Sequence, residues 1–229
     1  RKGKLADIVY GFKPSVIKNN LPFYVVLLII GIYGISCQIF MPYLIIYMNT
    51  YLEFSVIEYS AVFAVAILLG AGVNLYLTRL SDRMEKAKLL YIATAIFAFG
   101  LFAMYLARGL GKAATLLLFG ISGLVMITGY IFISALANSL VRDHTPEGEV
   151  GKLQGVRMVF SVLIPMIAGP FIGNLINSAR NIPLPDASSP DSMTTEYIPA
   201  PEIFLAASIV SLLLLAVIPV LRKSVKKRG

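Results

Sequence analysis

Apolar residues come along this chain in long runs, separated by short stretches where polar and charged residues gather. A helix rising ~1.5 Å per residue needs about 20 apolar residues to cross roughly 30 Å of hydrocarbon. Six stretches reach that length: 23–48, 56–78, 89–107, 115–141, 158–178 and 202–221. None shows the apolar–polar alternation over about ten residues that a membrane β-barrel strand requires. The pattern predicts an all-α membrane protein with six transmembrane helices filling residues 23–221. Residues 1–22 contain a short mixed segment at 7–12 and read as an interfacial helix lying under the membrane. The connection 179–201, rich in Pro, Ser, Asp and Thr, reads as an extended or irregular outer loop, and 222–229 as a basic tail.

Composition agrees with a lipid environment. The chain is 58% hydrophobic and 14% charged, whereas an average soluble domain is about a quarter charged. The net charge of +8 raises the question of nucleic acid, and the placement of the charges answers it. Seventeen Lys and Arg fall on 1–22, 79–88, 142–157 and 222–229, against Arg108, Lys112 and Arg180 on the opposite side. By the positive-inside rule both termini are cytoplasmic, and a plasma (cytoplasmic) membrane is the expected location. The basic residues are spread over membrane loops rather than gathered in one domain, which excludes a nucleic-acid partner. A single cysteine, Cys37, rules out an internal disulfide framework. The chain opens on Arg1 without a signal-peptide pattern, and truncation is the reading that fits the rest.

Polar residues within hydrocarbon tend to face the bundle or a water-filled cavity. The third span has Thr94 as its only inner hydroxyl besides Tyr91 and Tyr105 near its ends, and the sixth has Ser208 and Ser211. Both therefore read as peripheral and lipid-facing. The other four carry stripes at helical spacing: Gly31, Gly34, Gln38 and Pro42 on the first, and Ala66, Gly70 and Asn74 on the second. On the fourth lie Gly123, Ile127, Tyr130, Ser134 and Asn138; on the fifth, Ser161, Pro165, Gly169, Gly173 and Asn177. The order is two units of three helices, each ending in an apolar span, the pattern of an inverted three-helix repeat in carriers.

The connection after the second span reads Leu80-Ser81-Asp82-Arg83-Met84-Glu85-Lys86-Ala87-Lys88. It resembles the signature loop of the major facilitator superfamily in the weaker copy of the second half. Asp82, Arg83 and Lys86 match; Thr78 and Glu85 stand where that loop has glycines. The stretch 145–155, leading to Gly169-Pro170-Phe171-Ile172-Gly173, is similar to the entry of that family's eleventh helix. The resemblance implies a major-facilitator half bundle, spans seven to twelve of a twelve-helix carrier. Residues 1–22 would be the end of the central cytoplasmic loop, and an N-terminal six-helix half would complete the chain. It implies alternating-access transport of a small solute, with the Asp82/Arg83/Lys86 loop as a cytoplasmic latch. From the residues alone, a charge cluster that only sets topology remains the alternative.

Gln38, near the middle of its span, is the first candidate for contact with solute, followed by Tyr130 and Ser134, then Asn74 and Asn138. Midplane polar residues bind substrate in carriers, and the same residue types also tie helices together. Pro165, Gly169, Pro170 and Gly173 read as packing and flexing elements. Donors of this kind without an acid or base in the middle of a span favour a neutral, sugar-like solute. His144 reads as a solvated loop residue and Cys37 as packing. No phosphate-cradling loop, metal-ligand cluster or nucleophile–base set stands out, so neither a cofactor, nor a metal, nor an enzyme activity is expected. Competing readings are a six-span scaffold that transports nothing, a six-span carrier working as a homodimer, and the membrane domain of an ATP-driven exporter.

Overall fold

The computed structural model describes residues 10–81, 84–146, 148–185 and 193–226. Six helices are long and apolar enough to cross a membrane. They are α1 Leu21–Tyr51, α2 Val56–Ser81, α3 Lys86–Leu106, α4 Lys112–His144, α5 Val150–Arg180 and α6 Glu202–Lys226. A short helix, Pro14–Asn19, precedes α1.

Two of the six change pitch where proline falls. In α1 the regular helix ends at Phe40, tightens to a 3₁₀ turn over Met41–Tyr43 and closes as a π turn at Tyr47–Tyr51. Pro42 lies in that 3₁₀ turn, where its missing N–H removes a rung of the regular ladder. In α5 a π stretch, Val159–Leu163, immediately precedes Pro165, and Pro170 follows inside the helix. Gln38 thus sits just before irregular backbone and Ser161 within it, near the middle of their spans.

The packing order runs α2–α4–α3–α6–α1–α5, with α1 also crossing α4. Two kinds of seam hold it. Between α3 and α4, a Cβ on Gly129 would stand 2.5 Å from the Phe97 nitrogen, and one on Gly100 would stand 2.6 Å from the Met126 Cα. Only glycine allows the backbones this close. Between α1 and α5, a Cβ on Gly173 would meet the Ile39 carbonyl oxygen at 2.6 Å, and one on Gly34 would meet Pro165 Cγ at 2.6 Å. The core is apolar and shared by α1, α3, α4 and α6, with Leu27, Ile39, Phe97, Leu101, Ile133 and Phe204 fully buried. By contrast α2 and α5 bury only 11% and 17% of their apolar length, against 61% for α1.

Contrary to a peripheral reading, α3 and α6 pack into the core and leave one apolar face each exposed. Phe99 and Phe102 on α3, and Ile209 and Leu213 on α6, are exposed. Their inner hydroxyls are satisfied inside the bundle: Ser208 donates to the Ala98 carbonyl at 2.9 Å and Thr94 to the Leu90 carbonyl at 2.7 Å. Charges gather at the helix ends. At one end Glu202 takes Arg108 at 3.1 Å and Arg180 at 3.0 Å, and Lys112 meets Glu58 at 3.1 Å. At the other, where the chain enters α1 and leaves α6, Lys86 meets Asp143 at 2.6 Å and Arg222 meets Glu85 at 3.0 Å.

Residues 10–19 pack against the start of α5. The Tyr10 hydroxyl donates to Glu149 Oε1 at 2.9 Å, the Tyr24 hydroxyl bonds the Gly11 carbonyl, and Gly11 lies against Val156. The bond to Glu149 raises the Tyr10 phenol above its ordinary range. The connection after α5 contains two short strands: β1, Pro183–Pro185, pairs antiparallel with β2, Met193–Tyr197. The stretch that the sequence suggests is extended or irregular thus has a small hairpin. Asn181, in the left-handed region at φ 52°, closes α5 just before it.

Candidate functional site

A cleft of about 420 Å³ opens between α1, α4 and α5. Its polar lining comes from Tyr33 and Gln38 of α1, Tyr130, Ser134 and Asn138 of α4, and Arg157 and Ser161 of α5. Each set follows from helix periodicity, since side chains three or four residues apart share a face. Gly34, Cys37 and Pro165 complete the wall where α1 and α5 meet. The cleft runs from Gln38 and Pro165, near the centres of their spans, toward Asn138 and Arg157, nearer the end that holds the chain's termini.

Several of these groups fix one another. Tyr33 donates its hydroxyl to the Tyr130 carbonyl at 2.9 Å, and the two rings lie 5.7 Å apart. Asn138 donates its amide to the Ser134 carbonyl at 2.8 Å and accepts Arg157 Nη2 on its oxygen at 3.0 Å. The Gln38 backbone is set by Gly169, whose Cβ, if present, would stand 2.7 Å from the Gln38 carbonyl carbon. The Pro170 carbonyl accepts the Tyr43 hydroxyl at 3.0 Å, a further tie between α5 and α1.

Four of the five candidate residues therefore meet at one cleft: Gln38, Tyr130, Ser134 and Asn138. Asn74 lies elsewhere. It is buried in the α2–α4 seam, where its amide donates to the Gly70 carbonyl at 2.9 Å and the Thr128 carbonyl at 3.3 Å. Pro165, Gly169 and Gly173 lie along the α1–α5 contact. Asp82 and Arg83 lie outside the described residues. Lys86, the first residue of α3, bonds Asp143 and, at 2.8 Å, the Ser139 hydroxyl, both near the end of α4. His144 ends α4, its Nδ1 2.8 Å from the Leu140 carbonyl.

Arg157 is the residue that sequence reasoning misses. The hydropathy pattern places it in the connection 142–157, yet α4 continues to His144 and α5 already begins at Val150. Arg157 thus stands in the first third of a membrane-length helix and lines the cleft, while the middle of that span holds no charge. The signal was available: stepping back four residues from Ser161 along the fifth stripe lands on Arg157. Among the described residues, no group of His, Cys, Asp and Glu is arranged to hold a metal ion.

The sequence model of the Major Facilitator Superfamily matches residues 26–228, nearly the whole chain. No curated protein and no solved structure matches it. The chain belongs to the Major Facilitator Superfamily, whose members are secondary transporters.

Proposed function

We propose that this superfamily member moves a small polar solute across the membrane by alternating access, with the α1–α4–α5 cleft as its part of the solute site. The observation that carries the reading is the concentration of polar side chains from three helices at one central cleft, whereas Thr94, Ser208 and Asn74, buried elsewhere in the bundle, bond backbone carbonyls. A scaffold that transports nothing has no need of such a lining. Gln38, Ser134 and Tyr130 bind the solute, Tyr33 holds α1 against α4, and Asn138 sets the end of the site. Amide and hydroxyl groups in this number suit a hydroxyl-bearing, sugar-like skeleton. Pro165, Gly169, Pro170 and Gly173 let α5 pack closely on α1 and still flex.

Two features of the packing support a two-unit design. Exchanging α1, α2 and α3 for α4, α5 and α6 turns the pair α1–α5 into α4–α2, and α6–α1 into α3–α4, all of which pack together. That is the relation expected of an inverted repeat. The exposed faces of α2 and α5 are covered, in this reading, by an N-terminal six-helix half of the same chain. A second copy in a homodimer is the alternative. Asp82 and Arg83 then serve as a latch on the cytoplasmic side, a few residues before Lys86, which is tied to α4 through Asp143. Both termini are cytoplasmic, and the plasma membrane is the location.

The test is the intact mass of the natural gene product, followed by uptake into proteoliposomes. A mass near twice 24.9 kDa with solute uptake supports the two-half carrier. A mass near 24.9 kDa with uptake supports the homodimer, and a purified, folded protein that takes up no solute from a broad panel removes the carrier reading. Charge reversal at Asp82 is expected to slow uptake while protein level in the membrane is unchanged. Normal uptake in that variant removes the latch.

A further inference from the structure

Arg157 is the charged group of the cleft lining, and its charge is not matched there. Its hydrogen-bond partner there is a neutral one, the Asn138 amide oxygen. That oxygen is held in place because the Asn138 nitrogen is committed to the Ser134 carbonyl. Among the described residues, the carboxylates engaged in ion pairs lie at the helix ends: Glu58 with Lys112, Glu85 with Arg222, Asp143 with Lys86, and Glu202 with Arg108 and Arg180. Glu149 accepts from Tyr10.

A guanidinium keeps its charge at any pH a protein meets, and Arg157, half-buried in the cleft wall, presents that charge to whatever enters the cleft. It also presents a planar fork of N–H donors, of which the bond to Asn138 uses one edge. A carboxylate or phosphate oxyanion fits the remaining donors in a bidentate pair. The neighbours one and two turns further along the cleft are different in kind: Ser161, Ser134, Tyr130 and Gln38 offer uncharged hydroxyl and amide groups. The cleft is thus polarised, cationic at one end and neutral beyond it.

We propose that the solute is an organic oxyanion with a hydroxylated skeleton, its carboxylate or phosphate bound by Arg157 and its hydroxyls by Gln38, Ser134 and Ser161. This rests on the carrier reading for its setting and alters the sugar-like expectation in one respect: the solute has a negative charge. Asn138 is the positioning residue, since it holds the guanidinium without neutralising it.

The experiment is a binding screen on the full-length natural protein in detergent, read as ligand-induced thermal stabilisation. Glucuronate, gluconate and glucose 6-phosphate are compared with glucose and with inorganic phosphate. The expected result is saturable stabilisation by a hydroxylated anion in preference to glucose. Arg157→Gln should weaken that anion by about tenfold or more, with Arg157→Lys recovering part of the loss. Stabilisation by glucose alone, by inorganic phosphate alone or by no member of the set overturns the proposal. So does an Arg157→Gln variant that binds the anion as the parent does. If Arg157→Gln fails to fold, Arg157→Lys and Asn138→Ala serve instead, and unaltered anion affinity in both is the overturning result. Uptake separates the two readings. Anion binding without uptake removes the carrier and leaves the anion site, while glucose uptake unaffected by Arg157→Gln removes the anion site and leaves the carrier.

Discussion

The seam between α3 and α4 and the seam between α1 and α5 use the same device and come out differently. Both place glycine where one helix backbone lies on another, at Gly100 and Gly129 in the first and at Gly34, Gly169 and Gly173 in the second. In the α3–α4 seam the contact is reciprocal. Each helix supplies a glycine to the other's backbone, and the residues between them, Phe97, Leu101 and Met126, are apolar and buried. In the α1–α5 seam the tight approaches are confined to Gly34, Gly169 and Gly173, and a Cβ on Gly31 would meet Phe160 at an ordinary contact distance of 3.5 Å. Beyond Pro165 the α5 backbone loosens into a π turn, and Ser161 and Arg157 stand where glycines would have continued the seam. The cleft occupies the space where close approach ends. A binding site can therefore be made by interrupting a packing motif, with no separate architecture, while the uninterrupted seam holds the shape.

The largest effect is expected where the uninterrupted seam is filled. Gly129→Leu puts side-chain atoms where a Cβ alone would already stand 2.5 Å from the Phe97 nitrogen, so both backbones must move. Overpacking of this kind costs about 3 kcal/mol or more, and the variant should lose most of its monodisperse protein after extraction. Size-exclusion profiles of the purified variant check it, and a normal profile would mean that the seam is not what holds α3 to α4.

Next comes Gly169→Leu in the interrupted seam. The new side chain meets the Gln38 backbone, and α5, which buries 17% of its apolar length in this bundle against 44% for α4, can shift more readily. A smaller stability loss, about 1–2 kcal/mol, is expected together with uptake lowered by roughly tenfold or more, as the Gln38 side chain is displaced from contact with the solute. Thermal unfolding and uptake measured on the same preparation separate the two effects. Equal destabilisation in the Gly129 and Gly169 variants would erase the distinction between the seams.

Gln38→Ala probes the cleft without touching either backbone. Losing one or two neutral hydrogen bonds to solute costs about 1 kcal/mol each, so the half-saturating solute concentration should rise by roughly fivefold to thirtyfold. Protein level and unfolding temperature should hardly change. Reduced expression with unaltered affinity would instead assign Gln38 to the wall.

Most of this plan can be read from residues. Hydrophobic runs locate the six spans, and the Gly and Ser stripes name the faces that later meet as seams and cleft. Gln38, Tyr130, Ser134 and Asn138 are legible because a polar residue inside hydrocarbon needs a reason. Helix ends are less legible. The start of α5, Val150-Gly151-Lys152-Leu153-Gln154-Gly155, is too polar to register as a span, yet the helix runs through it, because backbone bonding does not depend on hydropathy. Arg157 was hidden by that boundary. Asn74 shows the opposite failure: its stripe with Gly70 looks like a cavity lining, but which neighbour a stripe faces is decided by tertiary packing, here Thr128 of α4.

The smallest effect is expected at the helix ends. Lys86 is paired with Asp143 at 2.6 Å, but the two side chains are 32% and 44% exposed, so water screens their attraction. Exposed pairs contribute about 0.2–1 kcal/mol, and Lys86 keeps part of its anchoring in the bond to Ser139 only while its ammonium is present. Lys86→Ala removes both contacts and should still lower stability by no more than about 1 kcal/mol, with the difference shrinking further at high salt. Thermal unfolding of parent and variant at low and high ionic strength measures it. A loss comparable with Gly169→Leu would show that the charged ends, and not the seams, set how α3 sits on α4. A small, salt-sensitive loss leaves that task to the glycines, and leaves Lys86 free to act on the loop that precedes it.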